Sequence, residues 1–82
     1  MDNSEQAKHE RLARLFLPSI SKEIAKLRGL SEIDALELFY KSELYELFMQ
    51  EDTKIWHFSG LTIALLLNQE IETGKIEFPV EG

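Results

Sequence analysis

From Glu5 to Arg28 the large apolar residues Leu12, Phe16, Ile20, Ile24 and Leu27 recur at three- and four-residue spacing, which is the stripe of an amphipathic helix. Pro18 falls inside it. A proline removes one backbone hydrogen bond and clashes with the carbonyl four residues back, so it either kinks one helix or starts a second. Because the stripe keeps its phase through Pro18, the pattern favours one kinked helix. Gly29 then reads as a left-handed stop, with Leu30 packing back over the helix end. Ser31 is placed to cap the next helix, and Asp34 suits its positive end. Ala35, Leu36, Phe39 and Tyr40 supply the buried face of that helix.

Lys41-Ser42-Glu43 is ambiguous, because Leu36, Tyr40, Leu44, Leu47 and Phe48 also share one helical phase. A break near Ser42 is favoured, giving a short helix from about Glu43 to Gln50, followed by a polar connection over Glu51 to Lys54. Ser59 stands directly before a final helical run that ends at Thr73-Gly74. The stretch Trp56-His57-Phe58-Ser59 therefore reads as an anchored helix entry: a serine cap with an aromatic stapled onto the first turn. Past Gly74, Ile76, Phe78 and Val80 alternate with polar residues, which suits an extended tail. Pro79 confines that tail to an edge. A two-stranded ribbon with Lys54 to Phe58 is one partner for it.

The sequence thus predicts an all-α fold, a small bundle of four to five helices in a single domain over residues 1–82, with residues 1–4 and 75–82 less ordered or extended. The predicted core comprises Phe16, Ile20, Ile24, Leu27, Leu36, Phe39, Leu47, Trp56, Leu61 and Leu65. Leu61, Ile63, Ala64, Leu65, Leu66, Leu67 and Ile71 wrap nearly all round the last helix, so that helix is either central or covered by another chain. Three short neighbours cover about two-thirds of its circumference, which leaves Ile63, Leu66 or Leu67 partly bare. Either Ile76, Phe78 and Val80 fold back over them, or a second copy does so through a two-fold interface. These six residues form the interaction surface that the sequence predicts.

Composition narrows the function classes. There is no cysteine among the 82 residues, so disulfides and thiolate metal sites are excluded. Residues 1–30 hold six Lys/Arg and four Asp/Glu, a net of +2, and residues 31–82 hold three and 11, a net of −8, which together give −6. Most of the chain therefore repels phosphates, and an acidic protein partnering a basic one fits better than nucleic-acid binding. A basic face on the first helix (Lys8, Arg11, Arg14, Lys22, Lys26 and Arg28) supports the alternative of a small nucleic-acid-binding regulator. The polar start MDNSEQAKHERLAR lacks the apolar centre of a secretory leader. The longest stretch free of charge and histidine, Phe58 to Gln69, is 12 residues, too short to span a bilayer. A cytoplasmic chain is the expectation.

Candidate chemistry is sparse. His9 and His57 are the only histidines, and no zinc-ligand spacing surrounds either. Asp52, His57 and Ser59 have the residue types of a catalytic triad but lack the strained turn that exposes a nucleophile. Glu32, Asp34, Glu37, Glu43 and Glu46 read as a solvated helix face rather than paired catalytic carboxylates. The four glycines stand far apart, so no phosphate loop exists. The sequence predicts a chain that is not an enzyme and needs no metal or cofactor, a regulatory module whose partner is a protein or its own copy.

Gly29-Leu30-Ser31, Phe39-Tyr40-Lys41-Ser42, Leu44-Tyr45-Glu46 and Trp56-His57 resemble the layout of a family of short bacterial proteins of unknown function. The resemblance spans about Leu15 to Glu72 and implies a helical layout of a long first helix, a Gly-Leu/Ile-Ser turn and a short Tyr-bearing helix. This chain departs from that pattern in placing Trp56 before His57 and Phe58-Ser59-Gly60 after it. Some members lie near toxin–antitoxin genes, which implies an antitoxin-like role. The family carries no established catalytic residues, so the resemblance implies none here.

Overall fold

The computed structural model describes residues 3–77, and within them every regular element is helical. They are α1 (Asn3–Arg14), α2 (Leu17–Arg28), α3 (Glu32–Tyr40), α4 (Glu43–Phe48) and α5 (Gly60–Thr73). Two short 3-10 turns, Glu51–Thr53 and Ile55–His57, connect α4 to α5.

Pro18 does not kink one helix; it separates two. With no N–H at Pro18 to bond the Arg14 carbonyl, α1 ends at Arg14. Leu15 and Phe16 then donate to the Leu12 and Ala13 carbonyls at 3.0 Å, the tighter three-residue closure of a helix end. Proline is at ease in the first turn of α2, where its missing N–H would have had no partner. Gly29 stops α2 at φ 68°, with the N–H groups of Gly29 and Leu30 both returning to the Ala25 carbonyl.

Serines open the other three helices. The Ser31, Ser42 and Ser59 hydroxyls accept from the N–H of Asp34, Tyr45 and Thr62 at 3.1, 3.0 and 3.2 Å. Ser42 also donates to the Phe39 carbonyl at 2.6 Å, and so fixes the break between α3 and α4. Glu70 of α5 reaches across to accept from Glu43 and Leu44 N–H at 2.9 and 3.1 Å, tying α5 to the start of α4.

α2 packs between α3 and α5. Its contacts with α5 run in the same direction along both helices. Ser19 and Glu23 abut Gly60, and Arg28 bonds Asn68, so α2 and α5 lie parallel. A Cβ on Gly60 would come within 2.9 Å of the Ser19 hydroxyl, so the glycine sets how closely α5 enters. The core gathers Ile20 and Ile24 of α2, Phe39 of α3, Leu44 and Phe48 of α4, and Ile63 and Leu67 of α5. Phe39 meets Tyr45 and Phe48 edge-on, with ring centres 5.4 and 5.6 Å apart.

Of the predicted core, Ile20, Ile24 and Phe39 are buried, and Leu36, Leu47 and Trp56 are partly buried against the cluster. Phe16, Leu27, Leu61 and Leu65 are not core: they remain 40, 43, 49 and 51% exposed. The expected bare positions are corrected in the opposite sense, since Ile63, Leu66 and Leu67 are all buried within the chain. Among the described residues the ribbon is absent as well. Residues 55–57 coil into a 3-10 turn and offer no extended edge, and Lys75 to Glu77 form no strand. Ile76 does pack on the core, and the Glu77 N–H donates to Gln69 at 2.8 Å. Phe78 and Val80 lie outside the described residues.

Candidate interaction face

Trp56-His57-Phe58-Ser59 is a helix entry. Lys54 takes a left-handed turn at φ 62°, and the following 3-10 turn sets Trp56 so that its indole N–H donates to the Glu51 carbonyl at 3.1 Å. Ser59 is fully engaged as a cap, because its hydroxyl also donates to Thr62 Oγ1 at 3.1 Å. His57 is exposed and packs against Trp56 with ring centres 4.9 Å apart. Among the described residues no hydrogen bond joins His57 to Ser59 or Asp52, and no group of His, Asp and Glu is arranged to hold a metal ion. Glu32, Asp34, Glu37, Glu43 and Glu46 are all exposed, a solvated face.

His9 is the histidine that no sequence pattern singles out. It is buried, with Nε2 3.2 Å from the Phe48 carbonyl and its ring edge-on to Trp56 at 5.4 Å. A carbonyl only accepts, so Nε2 carries the proton. Beside it, Gln6 donates to the Met49 carbonyl at 2.8 Å. Two polar side chains of α1 thus satisfy carbonyls left open at the end of α4. Their role is structural, and nothing in the spacing of His9 announced it.

The exposed apolar residues show a pattern of their own. On α2, Phe16, Ser19, Glu23 and Leu27 recur at three- and four-residue spacing, the side on which Ser19 and Glu23 meet Gly60. On α5, Gly60 and Asn68 touch α2, and Leu61 and Leu65 lie beside them on the adjoining solvent side. Phe16, Leu27, Leu61 and Leu65 therefore flank the single seam between α2 and α5. At its upper end the seam opens into a cleft of about 270 Å³, walled by Phe16, Ile20, Trp56 and Phe58 and floored by Gly60. Other open apolar residues, such as Leu15 and Ile33, lie off this seam. The basic residues of the first 28 positions are exposed, but the break at Pro18 divides them between two helices, and Arg28 is bonded to Asn68.

No family model, no curated protein and no solved structure matches this chain. No helix among the described residues is long and apolar enough to cross a membrane.

Proposed function

We propose that this chain is a non-catalytic interaction module that works in the cytoplasm, binding a protein partner or its own copy through the α2/α5 seam. The supporting observation is that Phe16 and Leu27, which continue the spacing of Ile20 and Ile24 on α2, and Leu61 and Leu65, one turn apart on α5, stand open along one seam. Apolar side chains gathered on one face and uncovered by the chain that carries them are what a partner covers. The resemblance to short bacterial proteins near toxin–antitoxin genes adds an antitoxin-like, regulatory role in a pair.

Crosslinking followed by affinity capture of the full chain tests the reading. A stoichiometric protein should be recovered and should be lost with Leu65→Glu, a change at a half-exposed site that leaves the fold in place. Recovery of no protein, or of the same protein in equal amount from both chains, defeats it. The nucleic-acid alternative finds less support, because its cations sit on two helices instead of one face. A gel-shift series that shows no complex even at low salt would remove it.

A further inference from the structure

We infer that a cleft between α1 and the two 3-10 turns binds a primary ammonium group carried on a short aliphatic arm. Glu5, His9 and Leu12 stand four and three residues apart, which places them on one side of α1. With Glu51 and Trp56 of the turns, and with Lys8, they line a space of about 190 Å³. Two of its lining groups have already given their N–H away. The Trp56 indole donates to the Glu51 carbonyl at 3.1 Å. His9 donates from Nε2 to the Phe48 carbonyl, and that bond is structural; Nδ1 keeps a lone pair and bonds no other described group. His9 is only 4% exposed, yet among the described residues no polar side-chain atom shut off from solvent lacks a partner. Nδ1 is therefore reached from outside, and the opening that His9 lines is this cleft.

A nearly buried acceptor with no donor, two carboxylates that only accept, and an indole ring that attracts cations together select a ligand with positive charge and several N–H groups. A metal ion does not meet that description here, because no group of His, Asp and Glu among the described residues is arranged to hold one. An ammonium needs no such close shell, since its three N–H groups each reach a separate acceptor about 2.8–3.0 Å away. A quaternary ammonium carries the charge but has no N–H for Nδ1 or the carboxylates. Leu12 offers the arm an apolar contact, and a space of about 190 Å³ lies below the ~300 Å³ of an ordinary ligand pocket, so the arm is a few methylenes long. Lys8 is the one cation in the lining. Set against Glu5 and Glu51 it leaves a net of −1, and its exposed position puts that repulsion at the rim.

The test is titration of the full chain with butylamine at about pH 7, where the amine is charged, against sodium chloride at matched ionic strength. Amide and side-chain NMR shifts together with Trp56 emission supply the readout. Saturable shifts should centre on Glu5 to Leu12, Glu51 and Trp56, with a dissociation constant on the order of 1–10 mM for so small a ligand. Glu5→Gln and Glu51→Gln keep side-chain size and remove one charge, and each should weaken binding by about three- to tenfold. Lys8→Ala should tighten it by about two- to fivefold. Tetramethylammonium should bind at least about fivefold more weakly than butylamine, because it donates no hydrogen bond. Leu65→Glu, on the α2/α5 seam, should leave amine binding unchanged, so the fate of the protein-partner reading and the fate of this site are read separately. Shifts that fail to saturate, or that sodium chloride reproduces, overturn the inference. Equal affinity for the two cations overturns it as well, as does binding indifferent to both Glu5→Gln and Glu51→Gln.

Discussion

At the scale of single residues, the chain settles its polar groups through short, local choices. Three serines cap three helices, and each could be read from its place before an apolar run. His9 could not. Its ring fills the space between α1, Trp56 and the end of α4, while Nε2–H satisfies the buried Phe48 carbonyl. A sequence signal for that contact would have to link positions 39 residues apart, and a lone histidine in a polar helix carries no such information. His9→Ala should cost about 1–3 kcal/mol, because the carbonyl then stays buried without a donor. His9→Phe keeps the ring and removes the donor. A comparable loss with phenylalanine assigns the effect to the hydrogen bond, and a neutral result assigns it to packing alone. Urea unfolding followed through Trp56, the only tryptophan, measures both.

At the scale of elements, the helices were legible and their faces only partly so. Every helix after Gly29 was readable from its caps and its period. Pro18 was misread because the apolar stripe runs through it in phase, and the phase of side chains says nothing about a lost backbone bond. The same stripe misplaced the core. Phe16 and Leu27 lie on the α5 side of α2, next to Ile20 and Ile24, and periodicity cannot tell the centre of a stripe from its margin. In α5 the seven apolar positions exceed what one face holds, so the sequence had to guess which were left out. Gly60 decides the matter: its close fit against Ser19 rotates α5 so that Ile63, Leu66 and Leu67 turn inward and Leu61 and Leu65 outward. Leu67→Ala should therefore cost about 2–5 kcal/mol, the range for a fully buried leucine, while Leu65→Ala in the monomer should cost well under half of that. Equal losses in thermal unfolding would mean that α5 is rotated so that Leu65 and Leu67 are equally buried.

At the scale of the whole molecule, the helices differ in what holds them. Every buried apolar residue except Ala13 comes from Leu17 onward, so α2 to α5 and the turns between them make the core. α1 contributes Ala13, the His9 ring and the partly buried Gln6 and Glu10, a docking face built mainly of polar contacts to the end of α4. Its one large apolar side chain, Leu12, stands open, as does Leu15 just past its end. A helix held by two side-chain hydrogen bonds and little buried apolar area opens at a smaller free energy than the core does. Native-state hydrogen exchange should show this directly. The amides of α1 should exchange through local opening, well before those of α2 and α5, which should exchange only on global unfolding. His9→Ala should speed exchange in α1 further and leave the ratio of α2 to α5 unchanged. Because His9 lies against Trp56, each opening of α1 also bares one edge of the indole, and its emission should shift toward the red in that variant with no loss of helix elsewhere. Protection in α1 equal to that of α5 would show instead that all five helices unfold as one cooperative unit, with the polar contacts of Gln6 and His9 holding as firmly as the apolar core.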